Sequence, residues 1–491
     1  MEAAPLYLTI FIILFLLIST LKIHRRRLSL PPGPTPLPFV GNLFQGSFKL
    51  YESYHKLYKQ YGPVFTVWLG SSPVVVLCGY SVVKDALVNY SHQFSDRGPL
   101  PITQRLSNGK GIIGTNGELW RHTRRFAVTT LRNFGMGKKS MEQRVQEEAK
   151  HLMKAIEATC GKAVNPQETI GCAVNNVINL VVFGKRWDYK DKKFLKLLNI
   201  TNNLFNFIRA PLGVAYVAFE SIMKHLPGRH QKIFQECEYM KSFIKEQIES
   251  HKKTINVNSP RDFIDCFLIR ASKENEMNCK EFNDHNLTIV AFELFTAGTE
   301  TTSNTLQFSL LLMIQYPHIQ EMIQKEIDTV IGPTRLPGIS DRSQMPYTNA
   351  VLHEIMRYID VVPMALPHQV SEDTFFRGFM IPKGTTIFPL IGSVLADPDC
   401  WKTPYDFDPE NFLDQNGLFC IQDAWMPFSA GKRICPGEGL ARMEIFLFLT
   451  ALLQKFTFKL ANPSDTFDLR SLRRAFRRKG LSYQLRAYPR T

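Results

Sequence analysis

The chain has no C-x-x-C pair anywhere along it. Its nine cysteines stand singly, at positions 78, 160, 172, 237, 266, 279, 400, 420 and 435. An odd number at unpaired spacings supports neither a zinc ribbon nor a dense disulfide framework, and reads as reduced thiols. No repeat of fixed period is visible, and with 44% hydrophobic and 21% charged residues the composition excludes disorder and collagen-like structure. Acidic residues are the minority charge: 44 against 59 basic ones, a net +15. Such a surface suits an anionic membrane, an acidic protein or a nucleic acid. No basic stripe interleaves with aromatics, which argues against nucleic acid.

An apolar run opens the chain, from Leu6 to Leu21, broken only by Thr9, Ser19 and Thr20. A membrane span needs about 20 such residues, and Ala3, Ala4 and Pro5 bring the run into range. Glu2 precedes it and Lys22, His24, Arg25, Arg26 and Arg27 follow. That order is the reverse of a cleaved signal peptide, and positive residues stay cytosolic. The pattern predicts an uncleaved anchor over 1–27, with the bulk of the chain in the cytosol. The sequons at Asn89, Asn199 and Asn286 should then be bare. Pro31, Pro32, Gly33, Pro34, Pro36 and Pro38 predict a stiff extended linker over 28–38, and 39–491 forms the globular part.

Length alone, at ~150 residues per domain, suggests three domains, but the periodicity points to one large, mainly α domain with a small β region. Alternating Val-rich residues over 62–79 predict a strand pair. Helical period marks 118–133, 139–160, 168–183, 192–208, 230–253, 262–274, 283–316, 318–331, 346–358 and 437–455. Strand signals return at 374–389 and 481–486.

Residues 428–437 read Phe-Ser-Ala-Gly-Lys-Arg-Ile-Cys-Pro-Gly, and an amphipathic helix follows, with Leu440, Met443, Phe446, Leu447 and Leu449 on its apolar positions. A cysteine on a Gly-rich loop at a helix N-terminus is a thiolate site, since the helix end carries partial positive charge and free amides. Gly431 and Gly437 allow the backbone to approach something large and flat. Arg433 is a fixed cation beside it.

On these residues the chain resembles the cytochrome P-450 family of haem-thiolate monooxygenases, whose signature F-x-x-G-x-R-x-C-x-G it matches at Phe428, Gly431, Arg433, Cys435 and Gly437. Its PPGP linker, AGTETT run and LPH segment look most like microsomal family 2 members. The resemblance implies the P-450 fold, haem b, and Cys435 as the proximal ligand whose electron donation favours O–O cleavage. It also implies that Glu354 and Arg357 pair in E-x-x-R beneath the haem. A second copy, Glu118 and Arg121, shows how easily the pattern arises, and Asn411 stands where many members carry a third, cationic partner. By the same resemblance Glu300 relays protons and Thr301 bonds dioxygen or a water beside it, in Ala297-Gly-Thr-Glu-Thr-Thr302. Arg97, Trp120, Arg124, His368 and Arg433 would hold the propionates.

The implied substrate pocket takes Ile112 and Ile113, Leu204, Phe205 and Ile208, Phe292, Phe295 and Ala297, Val362, Met364 and Leu366, and Phe476. Its apolar lining fits lipophilic substrates such as fatty acids, steroids or xenobiotics. Arg105, Lys110 and Arg474 flank it as cations that read as solvated surface or as carboxylate holders. Residues 204–219 are apolar enough for a second membrane contact. Arg121, Arg125, Arg132, Lys432 and Arg442 would face an acidic electron donor, NADPH–cytochrome reductase and cytochrome b5, at the endoplasmic reticulum membrane. Two rivals stay open here: a reductase-independent isomerase or peroxide-rearranging enzyme, marked by turnover without NADPH, and a non-catalytic haem-binding protein, marked by no NADPH-dependent oxygen uptake.

Overall fold

Apolar residues recurring at helical spacing give thirteen helices of eight or more residues among the described ones. They are α1 Ala3–Leu28, α2 Leu50–Tyr61, α3 Gly117–Phe134, α4 Lys139–Glu157, α5 Gln167–Val182, α6 Lys192–Arg209, α7 Pro211–Ala218, α8 Arg229–Thr254, α9 Phe263–Asn275, α10 Asp284–Gln315, α11 Pro317–Val330, α12 Pro346–Ile359 and α13 Glu438–Lys455. The computed structural model describes residues 3–43, 50–134, 139–275, 281–462, 468–469 and 482–490, so Arg474 and Phe476 lie outside the described residues.

Strands are few and short. A five-stranded sheet runs in the order β1 (Val64–Leu69), β2 (Ser72–Leu77), β7 (Thr386–Pro389), β4 (His368–Gln369), β3 (Asp96–Arg97). Only β2 and β7 pair parallel. Two hairpin-like pairs complete the β region: β5 (Thr374–Phe376) with β6 (Phe379–Ile381), and β8 (Phe456–Leu460) with β9 (Leu485–Pro489).

The core is built around α10, 32 residues long and thus about 48 Å. The Asn283 side chain accepts from the Asn286 amide to start it, and Pro317 opens the next helix directly after it. It packs against α5, α6, α8, α11, α12 and α13 and is buried almost all round. Between Asn286 and Ile314 only Leu294, Ala297, Gly298 and Thr301 escape burial. Those four fall at i, i+3, i+4 and i+7, one stripe of the helix, so an open space abuts the middle of the longest core helix.

The proline stretch is not a free spacer. Pro31, Gly33 and Pro36 are buried, the Thr66 amide of β1 donates to the Pro32 carbonyl at 2.8 Å, and a Cβ on Gly33 would meet the Thr66 carbonyl oxygen at 1.9 Å. The segment lies along the sheet because only glycine permits that approach. α1 spans the expected anchor, with Arg25, Arg26 and Arg27 in its last turn. Among the described residues no helix is long and apolar enough to cross a membrane.

Candidate functional site

The loop that carries Cys435 is folded by its glycine and its cation. Gly431 opens a short turn, Gly431–Arg433, at φ +70°, and a Cβ there would sit 1.8 Å from the Leu87 carbonyl oxygen. The close approach is therefore to the protein's own backbone, not only to a flat ligand. The Cys435 amide donates to the Phe428 carbonyl at 3.0 Å, and α13 starts three residues on. Cys435 is deep in the molecule, yet its surface is accessible, so the sulfur looks into open space. Burial pushes its thiol up, while the amides of Gly437 and Glu438 and the Arg124 guanidinium pull it back.

Beside that sulfur gathers a group of cations. The β3–β4 register sets Arg97 opposite His368, two residues 271 apart in sequence. Arg433 stacks on the Trp120 ring at 3.6 Å, and Arg124 of α3 donates to the Ile434 carbonyl. None of the three arginines is ion-paired to a carboxylate among the described residues. Burial and mutual repulsion depress Arg97 and Arg433 to about 9, and His368 to about 3 through burial and Arg97. His368 accordingly stays neutral, its Nδ1 2.6 Å from the Phe94 carbonyl. Arg97 Nε and the Trp120 indole N–H are buried with no partner. Buried donors and unpaired cations of this kind cost free energy unless something anionic meets them. The five residues read from sequence thus come together, and their donor set fits two carboxylates of a bulky anion whose centre faces an accessible cysteine sulfur. That is the chemistry of haem propionates and iron.

Sequence reasoning missed the clamp on residues 111–116. Glu293 of α10 accepts from the Ile112 amide at 2.6 Å and from the Ile113 amide at 3.3 Å, and burial pushes its carboxyl up to about 8 against those amides. Arg433 donates to the Ile112 and Thr115 carbonyls at 3.5 and 2.9 Å and to Asn116 Oδ1 at 2.7 Å. The loop bearing Ile113 is thus gripped from both sides. Glu293 spaced one turn before Ala297 was a visible signal, but only the fold shows what it meets.

The two E-x-x-R copies separate cleanly. Glu354 and Arg357 of α12 are 0% exposed and bidentate, at 2.6 and 2.7 Å. Arg357 also donates to the carbonyls of Leu395, Thr403, Pro404 and Asp406. Glu118 and Arg121 sit on the surface, 60% and 62% exposed. Asn411 does occupy the third place: its Nδ2 reaches both Glu354 oxygens at 3.4 Å and Thr403 Oγ1 at 2.9 Å. Neutral Asn411 suffices because Arg357 spends its remaining donors on carbonyls.

On the distal side, Thr301 lies in the open stripe of α10 and donates to the Ala297 carbonyl at 2.8 Å. Glu300 turns aside. Its Oε1 accepts from Arg209 of α6 at 2.9 Å and from Asn304 at 2.8 Å. A cavity of about 540 Å³ reaches Glu300, lined in part by Asn199, Asn202, Thr299, Asn304 and Gln307.

The pocket residues divide. Ile113, Phe205 and Ala297 are half-buried, and Ile208, Val362 and Leu366 exposed, as suits walls of an open space. Phe295 does not belong with them. It is buried, its ring 6.3 Å from Phe183, because it stands two residues from Ala297 and about 200° round the helix. Phe292, Leu204 and Ile112 are core residues too. Arg105 is exposed and Lys110 half-buried. Arg442 is half-buried, bonded to Glu438 and His353, while Arg121, Arg125, Arg132 and Lys432 are exposed. Of the three sequons, Asn286 is buried, donating to Thr123 Oγ1 and the Glu281 carbonyl, so no glycan fits there.

An accessible cysteine on such a loop, a cationic nest and an open stripe across a core helix are the features expected of a haem-thiolate enzyme. The chain belongs to the Cytochrome P450 family, whose model matches residues 31–484. It is 48% identical over 476 residues to Cytochrome P450 2C8 of Homo sapiens and to Cytochrome P450 2C20 of Macaca fascicularis, covering 96% of this chain and of each relative. Cytochrome P450 2A4 of Mus musculus is 47% identical over 460 residues, 94% of this chain and 93% of its own. The protein is a family 2-like, haem b-dependent monooxygenase, served by a redox partner and acting on lipophilic substrates.

Proposed function

We propose that this chain is a microsomal monooxygenase in which Cys435 ligates the haem iron and Arg97, Trp120, Arg124, His368 and Arg433 hold the propionates. The observation that carries the assignment is the nest of unpaired buried donors beside an accessible, deep-set thiol. When bound there, the haem supplies dioxygen activation: one oxygen atom enters a C–H or C=C bond, the other leaves as water, and two electrons come from NADPH through the reductase.

The chain's own residues bind, orient and move protons. Ile113, Phe205, Ile208, Val362 and Leu366 exclude water and hold a lipophilic molecule. Thr301 keeps a hydroxyl on the open face of α10. Glu300, beside it and touching a cavity lined in part by Asn199, Asn202, Asn304 and Gln307, passes on the two protons that forming water requires. Exposed Arg121, Arg125, Arg132 and Lys432 receive the reductase or cytochrome b5. We place the domain on the cytosolic face of the endoplasmic reticulum, held by α1 as a single-pass anchor; the Arg25–Arg27 cluster at its end supports that side.

Replacing Cys435 with serine tests the assignment. The ferrous–carbon monoxide spectrum of the wild type should show the red-shifted Soret band of sulfur ligation, and Cys435→Ser should lose it. Persistence of that band in the variant overturns the ligand.

A further inference from the structure

The cavity that reaches Glu300 lies behind α10 rather than before it. Thr299, Ser303 and Gln307 form part of its wall, and they stand about 160–240° round the helix from Thr301. That face is turned away from the open stripe. The end of α4, the start of α5, α6, and Phe458 and Leu485 of the β8–β9 pair close the rest. Ile113, Phe205, Ile208, Ala297, Val362 and Leu366, the walls of the substrate space, contribute nothing to it. At about 540 Å³ it falls within the range of small-molecule sites.

Its polar groups are short of partners. Gln307 is only 2% exposed, yet its side-chain amide makes no hydrogen bond among the described residues and borders the cavity. Its backbone is fixed, the carbonyl accepting from the Tyr483 hydroxyl at 2.6 Å. Asn304 is buried too. It donates to Glu300 at 2.8 Å, and its Oδ1 has no donor among the described residues. On the α6 wall, half-buried Asn202 makes no side-chain hydrogen bond among the described residues either. A carboxamide both donates and accepts, and burying it unmet costs free energy.

Charge narrows what can enter. No lysine or arginine lines the cavity among the described residues, so an anion would lack a counter-charge. Glu300 is already held by Arg209 and Asn304, and Glu168, the other acid of the lining, is exposed. A cation therefore finds no free buried carboxylate. A wholly apolar molecule would cut the carboxamides off from water. The polar groups come from α5, α6 and α10, which suits hydroxyls on several sides of a ligand rather than one polar edge. A hydroxyl meets either end of a carboxamide, while Leu195, Leu198, Leu310 and Phe458 receive C–H faces.

We infer that this cavity is a second binding site, separated by α10 from the haem chamber, for small neutral polyhydroxylated molecules such as glycosides. Gln307 and Asn304 hold the ligand from α10, and Asn202 holds it from α6.

The test titrates the full-length holoenzyme, in phosphatidylcholine nanodiscs, by calorimetry. The probes are methyl β-glucopyranoside and 2-methoxytetrahydropyran, which keeps the ring and lacks its hydroxyls. The wild type should bind the glucoside saturably, one per chain, at least tenfold more tightly than the ether and with no movement of the Soret band. Gln307→Leu and Asn202→Leu should each weaken the glucoside at least fivefold with the carbon monoxide spectrum intact. Absence of saturable binding, equal affinity for the ether, or binding that survives both substitutions overturns the inference. A Soret shift on binding also overturns it, because the molecule would then sit in the haem chamber. The carbon monoxide spectrum reports on haem ligation separately, so failure here leaves the monooxygenase reading standing.

Discussion

Arg97 shows how a single side chain can be costly alone and useful with a ligand. It is buried, its Nε has no partner, and burial together with Arg124 depresses its pKa to about 9. At neutral pH it remains charged, so the haem-free fold holds an uncompensated cation. Arg97→Leu should leave thermal stability of the haem-free protein unchanged or raise it by about 1 kcal/mol, while haem passes to excess apomyoglobin roughly ten times faster, as read by absorbance. Equal haem loss in variant and wild type would remove Arg97 from the propionate site. Glu293 makes the opposite kind of prediction, in pH. Its folded pKa of about 8 lies above the unfolded carboxylate value, so the folded state binds the extra proton. The stability it contributes is complete below about pH 4 and is lost as pH rises toward 8. Glu293→Gln should flatten that part of the melting-temperature profile. An unchanged slope between pH 5 and 8 would mean that the carboxyl does not titrate there.

At the scale of elements, the sequence carried most of the helices, because a repeating apolar stripe is a local signal. Ten segments predicted from periodicity fall within a few residues of α3 to α6 and α8 to α13. What it did not carry is long-range. The two-residue strands β3 and β4 exist only because Asp96–Arg97 meets Gln369–His368, and no local pattern announces them. α10 is buried nearly all round, so its phase is not readable from hydrophobicity, and Phe295 was placed on the wrong side of it. Arg209 and Glu293 were legible as charges on helices, but their partners were not. Gly431 was legible as a motif position, with a different reason from the structural one: its turn is pressed on the Leu87 carbonyl of the Asp85–Asn89 segment. Gly431→Ala faces both a left-handed φ and a 1.8 Å clash. It should lose more than about 2 kcal/mol of stability and most of its carbon monoxide-reactive haem, measured by melting and by difference spectrum. A variant that melts within a degree of wild type would show that the loop has room to shift.

The whole molecule adds a question of attachment that neither residues nor elements pose alone. A Cβ on Gly70 would lie 3.1 Å from the Ala218 carbonyl and 3.4 Å from that of Phe39, so the chain entering from α1 and the end of α7 meet at one place. Around it Leu37, Phe39, Val217, Ile222 and Leu226 are exposed. The contact expected over 204–219 is thereby redrawn: Leu204, Phe207 and Tyr216 belong to the core, and the apolar surface extends instead past α7 and back to residues 37–39. Five such side chains, each only partly withdrawn from water, amount to about 5 kcal/mol, a dissociation constant on the order of 0.1–1 mM in lipid. The net charge of +15 adds attraction to anionic headgroups that salt screens. Deleting residues 1–27 should therefore leave a protein that co-sediments with phosphatidylcholine–phosphatidylserine vesicles in proportion to lipid, more weakly at high salt. Ile222→Glu with Leu226→Glu in the shortened chain should release it to the supernatant with its carbon monoxide spectrum intact. A shortened chain that stays in the supernatant at every lipid concentration would overturn this contact.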